Sequence, residues 1–345
     1  MQQKNISAFK IGTAYIGMVV GAGFASGQEI QNFFARFGYL GLFGLIISTI
    51  LFIIVGYIIM DLGRKLKATS HLEIIEYSTS KYSRPIFDFV ITFFLFGTFC
   101  AMLSGSGAMM QQLFGIPLIF GSILMALLSV ITVLTGIKGV IDSISAVVPF
   151  LIVSVIFISI ATLFKDSVFA NVTTNTNIIN NWFSASILYA AYNLIFAICL
   201  LAPLGGQVED KKVLKKGAII GGLGLGIGAL FIFLALGCAK YALPEIPMLE
   251  FAQKISPFIA GCYAVVLLAE IYTTAVGNLF GFIARLREKF TKGHISITII
   301  VALVSIIISL LGFSKLISFL YPIMGYCGVI MFILLFYRII KKRKE

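Results

Sequence analysis

Long apolar stretches follow one another along the chain, separated by short polar segments. They lie near residues 8–36, 38–61, 85–112, 117–136, 141–164, 183–204, 213–239, 256–284, 295–312 and 315–338. A helix that crosses the hydrocarbon core of a bilayer needs about 20 mostly apolar residues, and each stretch comes close to or exceeds that length. Lipid tolerates apolar side chains on every face of a helix, which water does not. The pattern predicts an all-α, polytopic membrane protein of about ten transmembrane helices, folded as one domain over 1–345.

Composition agrees. The chain is 59% hydrophobic and 12% charged, with a mean hydropathy of +1.05. A soluble domain carries about 25% charged residues to cover its surface. The net charge of +12 would point to nucleic acid in a soluble protein. Here the basic residues sit between apolar stretches, so the lipid bilayer is the expected partner and nucleic acid is not. All of the 26 basic residues except Arg36, Lys165, Lys240, Lys254 and Lys315 fall in loops on one side. The positive-inside rule places that side, and both termini, in the cytoplasm of a multi-pass protein of the cell membrane. An even number of spans is required, and ten satisfies it. The cysteines, Cys100, Cys199, Cys238, Cys262 and Cys327, fall in apolar runs without metal-type spacing and read as buried thiols. Nucleophile, metal and phosphate-loop motifs are absent, so neither an enzyme nor a cofactor is expected.

Two spans depart from a plain helix pattern. Span 1 contains Gly17, Gly21, Gly23 and Gly27, then Ser26-Gly27-Gln28-Glu29 before the span ends. Close packing through small residues explains Gly17-x-x-x-Gly21. It does not explain polar groups inside the span. Unwound backbone at membrane depth is tolerated only where it lines a cavity or is buried in protein. The stretch Gly21, Ala22, Gly23, Phe24, Ala25, Ser26 and Gly27 therefore reads as a broken helix beside a binding site. Span 6 carries a lone amide, Asn193, between Tyr192 and Phe196, followed by Pro203. It reads either as an interhelical hydrogen bond or as a second break. Paired interruptions five spans apart, in halves of opposite topology, mark the binding site of inverted-repeat transporters. The repeats would cover about 8–164 and 183–338, with helices 1 and 6 broken. In span 3, Thr98, Ser104, Ser106, Gln111 and Gln112 form a small, polar stripe that faces either the cavity or a neighbouring helix. The glycines of span 7 read as packing.

At Gly21-Ala22-Gly23-Phe24-Ala25-Ser26-Gly27-Gln28-Glu29 the chain resembles the YkvI-type membrane proteins of bacteria, relatives of the amino acid–polyamine–cation superfamily. The ten-span layout fits along the whole chain. The resemblance implies the leucine-transporter fold, a five-plus-five inverted repeat, and movement of amino acids or related amines driven by sodium or protons. It also implies a sodium site. Gly17 and Val20 match a pair of helix 1 carbonyls, Glu270 a helix 8 carbonyl, and Thr273 and Thr274 an adjacent hydroxyl pair. Sodium is a hard cation that accepts neutral oxygen ligands. Phe24 stands where a second sodium site would need asparagine, and span 5 carries no lysine within it.

Glu270 falls near the midplane, where a charge costs at least about 2.5–3.5 kcal/mol on insertion scales. Glu29 lies beyond the break, nearer the outer face. Both are coupling or proton-carrying candidates. The chain reads as a secondary transporter, a sodium-coupled symporter of a small amino acid or amine, with the substrate's anionic end at the half-helix starting near Gly23. The alternatives are a proton-coupled carrier using Glu270 and a permease-shaped receptor that binds a small molecule without moving it.

Overall fold

The computed structural model describes residues 6–69, 72–78, 84–135, 138–165, 181–239, 243–289 and 294–341. Among them every regular element is helical. Span 1 comprises α1 (Ala8–Val19), α2 (Ala22–Ser26) and α3 (Gln28–Phe33). Spans 2 to 5 are α4 (Tyr39–Leu66), α6 (Arg84–Phe114), α7 (Leu118–Thr135) and α8 (Lys138–Lys165), with a short α5 (Leu72–Ser78) before α6. Spans 6 and 7 are α9 (Trp182–Gly206) and α10 (Lys211–Gly237), followed by a short α11 (Pro247–Ile255). Spans 8 to 10 are α12 (Pro257–Lys289), α13 (His294–Ser309) and α14 (Phe313–Lys341). The helices α4, α6, α9, α10, α12 and α14 are long and apolar enough to cross a membrane, and α1, α7, α8 and α13 contribute shorter apolar helices.

Local chemistry sets several boundaries. Helix ends leave backbone N–H groups without intrahelical partners, and short polar side chains satisfy them. Ser7 caps α1 through the Lys10 N–H at 3.3 Å, Asn181 caps α9 through Ser184 at 2.7 Å, and Asp210 caps α10 through Lys212 at 2.8 Å. Trp182, the first residue of α9, packs against Phe43 and Phe183.

Two groups of helices emerge from the packing. One is α1, α4, α9 and α10; the other is α6, α7, α12 and α13. The helices α8 and α14 lie against both. Glycine makes the first group tight. A Cβ on Gly12 would fall 2.7 Å from Ile220 Cβ, one on Gly217 2.7 Å from Ile11 Cβ, and one on Gly221 2.9 Å from Tyr15 Cγ. The glycine-rich seventh span is thus a packing surface, as expected. The α4–α9 contact is closer still, because backbone meets backbone. A Cβ on Gly205 would lie 2.8 Å from the Met60 carbonyl carbon, and one on Gly63 would lie 3.0 Å from that of Ala202. Gly205→Ala should therefore cost about 1–3 kcal/mol, the usual range for overpacking. Its thermal midpoint should fall, while Gly261→Ala, where nothing lies within 4 Å, leaves it unchanged.

Two sequence expectations fail. Span 6 is not broken: α9 runs without interruption from Trp182 to Gly206. Its interior contains no glycine before Gly205, and the Asn193 amide finds a partner in its own helix, donating to the Tyr189 carbonyl at 3.1 Å. The cysteines are not uniformly buried either. Cys199 and Cys262 are exposed, and Cys327 is partly so. An apolar run in a membrane protein predicts contact with lipid as readily as with a core.

Candidate functional site

The helix of the first span is interrupted twice. Val20 caps α1 by donating to the Ile16 carbonyl at 2.8 Å, and both Val20 and Gly21 are extended. Helix resumes at Ala22. The second interruption is at Gly27, whose φ of 86° lies in the left-handed region that only glycine enters freely. Ser26 stabilises the turn, its hydroxyl donating to the Gly23 carbonyl at 3.0 Å and accepting from Gln28 N–H at 3.3 Å.

A cavity of ≈ 260 Å³ opens beside the first break, between the two helix groups. From span 1 it is lined by Gly17, Val20, Gly21, Ala22 and Glu29; from α9, by Tyr192, Asn193 and Phe196; from α12, by Glu270, Thr273 and Thr274. All of these residues were singled out in the sequence. The structure adds Met18 and Val19 of α1, Phe94, Thr98 and Met102 of α6, Gly277 and Asn278 of α12, and Tyr321 of α14. Only Thr98 carried a signal, as part of the polar stripe of span 3. Ser106 of that stripe turns away and donates to Gly121 of α7 at 3.2 Å.

Gly23, Phe24, Ala25, Ser26 and Gly27 do not reach the cavity wall. Once α2 forms, its side chains radiate into neighbouring helices. Phe24 points at Gly228 of α10, the Ala25 carbonyl accepts from the Tyr263 hydroxyl of α12, and Gly27 packs against Met248 of α11.

The two acidic residues enter from different directions. Glu29 is 3% exposed. Its side chain folds back against Gly23, so that a Cβ there would lie 3.1 Å from Glu29 Cδ, and it accepts a hydrogen bond from the Tyr192 hydroxyl. Glu270 is 4% exposed, and its Oε2 has no hydrogen-bond partner. The Thr274 hydroxyl faces its carboxyl. The Thr273 hydroxyl donates to the Glu270 carbonyl at 3.0 Å, so two of the expected sodium ligands are bonded to each other. All five expected ligands nevertheless border the same cavity.

Aromatic rings complete the wall. Tyr192 and Tyr321 lie 4.9 Å apart, Phe94 and Phe196 4.7 Å, and Phe94 and Tyr321 5.9 Å. Among the lining residues, Met18 of α1 and Gly277 of α12 are exposed. Away from them, polar contacts tie α3 to the segment before α11 and to α14. The Gln28 amide donates to the Glu245 carbonyl at 2.9 Å, and its oxygen accepts from Ser314 at 3.1 Å and Asn32 at 3.3 Å.

No family model matches the chain. Among solved structures, a Na+-coupled sialic acid symporter in a substrate-bound outward-open state superposes with a TM-score of 0.65 at 16% identity, covering 97% of this chain and 79% of that one. The inward-facing conformation of Mhp1 gives 0.60 at 12% identity, covering 94% and 74%. These likenesses establish the leucine-transporter fold. The uncharacterized membrane protein YkvI of Bacillus subtilis (strain 168) is 31% identical over 331 residues, 95% of each chain. With that identity over nearly its whole length, the chain belongs to the YkvI-type family of membrane proteins.

Proposed function

We propose that the protein is a secondary active transporter that moves a small amino acid or amine by alternating access, coupled to a cation. The observation that carries this reading is the position of the cavity, at a helix break and between two separately packed helix groups. The halves 8–164 and 183–338 act as inverted repeats, each giving two helices to each group. Rocking α1, α4, α9 and α10 against α6, α7, α12 and α13 would expose the cavity first at one end and then at the other. The basic loops would lie on the cytoplasmic side of the cell membrane.

Coupling needs an ion that favours one arrangement over the other. A sodium ion held by the Gly17, Val20 and Glu270 carbonyls and the Thr273 and Thr274 hydroxyls would bridge both groups. Thr274→Val removes one ligand and keeps the shape. It should raise the sodium concentration for half-maximal uptake by roughly 10-fold or more, the scale of one charge-assisted contact. A second reading, proton coupling through Glu270, is favoured by the unpartnered Glu270 oxygen and by the Thr273 hydroxyl already given to its own helix. It predicts uptake that responds to pH and ignores sodium.

The test is accumulation of an amino-acid and amine panel in proteoliposomes under a sodium gradient, a proton gradient, or none. Accumulation that collapses with the gradient supports the carrier. Saturable binding without movement would replace it with a membrane receptor.

A further inference from the structure

Building on the transporter reading, we infer that the cavity accepts an organic cation carrying no carboxylate, an alkylamine or aralkylamine rather than an amino acid. The place beside the helix break where a substrate carboxylate would be received is already occupied. The Glu29 carboxyl lies against Gly23 and takes the Tyr192 hydroxyl. On the α12 side the cavity presents Glu270, buried, with one carboxyl oxygen unpartnered. Thr98 of α6 adds a buried hydroxyl. Among the lining residues no lysine, arginine or histidine occurs.

An entering carboxylate would therefore lose its water and meet two acidic side chains with no counter-charge, an arrangement that strongly disfavours binding. An ammonium meets the reverse, with a free acceptor at Glu270 and a second carboxyl at Glu29. The rings of Tyr192, Tyr321, Phe94 and Phe196 suit the same ligand, since aromatic faces attract cations and pack against alkyl or aryl carbon. The volume of ≈ 260 Å³ limits the ligand to a small molecule. A bare divalent metal is a poorer fit, because among the described residues no cluster of three or more His, Cys, Asp or Glu exists.

The experiment compares matched pairs on the purified full-length protein by calorimetry and thermal shift: phenethylamine with phenylalanine, isoamylamine with leucine, putrescine with ornithine. Manganese chloride serves as the inorganic control. The expected result is that at least one amine binds about tenfold or more tightly than its amino acid, a typical worth of one desolvated charge contact. Glu29→Gln should narrow that preference several-fold. The wild-type comparison stands even if the variant fails to fold. Equal or tighter binding by the amino acids, stabilisation by manganese alone, or no amine binding at millimolar concentration overturns the inference. Flux separates it from the reading beneath it. Gradient-driven accumulation of an amino acid would overturn the ligand class and keep the carrier. Amine binding without gradient-driven movement would keep the ligand class and overturn the carrier.

Discussion

Gly21→Leu should abolish ligand binding and uptake while leaving the thermal midpoint within about 2 °C of the parent protein. Most glycines of the bundle cannot accept a side chain, because the added carbon would strike a neighbouring helix. Gly21 is different: a Cβ there meets no heavy atom within 4 Å. Its φ of −127° and ψ of −173° are extended values open to any residue. The residue borders the cavity, so a leucine would project into space that the ligand needs. Folding is spared and occupancy is not. Gly277 offers the same opportunity from α12, again with nothing within 4 Å of an added Cβ. Gly277→Leu should block from the opposite wall without touching the helix break. Two blocking variants on different elements distinguish filled volume from a disturbed backbone. Normal uptake by both would show that this cavity is not on the ligand's route.

Glu270→Gln should lower uptake by roughly 10- to 150-fold, the loss expected when a charge-assisted contact worth about 1.5–3 kcal/mol becomes a neutral one. The amide has the shape of the acid and can keep its contact with Thr274. Stability should hold or rise, because the variant no longer buries an ionisable group with an unpartnered oxygen. Reconstituted flux and the thermal midpoint, measured on the same preparation, read the two effects separately. A drop in both would assign Glu270 to the fold. The pH profile adds a further distinction. If Glu270 carries the coupling proton, the parent's flux responds to pH and the residual flux of the variant does not; if sodium couples, both follow the sodium gradient instead.

The bilayer explains why so much of the architecture was legible. Lipid forces each crossing to be a long apolar helix, so the expected span at 38–61 corresponds to α4, Tyr39–Leu66, with only its ends misjudged. The break in span 1 was legible because glycines cluster there among polar groups, and at Gly27 the backbone enters the left-handed region. Span 6 misled because an asparagine in an apolar run need neither break its helix nor reach another: Asn193 bonds within its own helix. The cavity wall was legible where it is polar, at Glu29, Asn193, Glu270, Thr273 and Thr274. Of its aromatic part only Tyr192 and Phe196 were legible, through their neighbour Asn193; Phe94 and Tyr321 carry no signal among 32 phenylalanines and 13 tyrosines. The placement of Glu29 was beyond reach as well. Its return to Gly23 depends on the left-handed turn at Gly27, which interrupts the helix between the two residues.

Beside a bond from the Ser314 N–H to the Glu245 carboxyl, the Gln28 part of the closure at the α11 end rests on neutral groups, its amide contacting the Glu245 carbonyl, Ser314 and Asn32. Each such bond nets only about 0.5–1.5 kcal/mol, because water replaces the lost partner when it opens. A latch of this kind leaves the two arrangements within a few kcal/mol of each other. That gap is small enough for an ion and a ligand to tip with ordinary binding energies. It also leaves a readable trace. Gln28→Ala should make the α11 end reachable by water-soluble thiol reagents in a carrier given a cysteine at Ser314, without any ligand present.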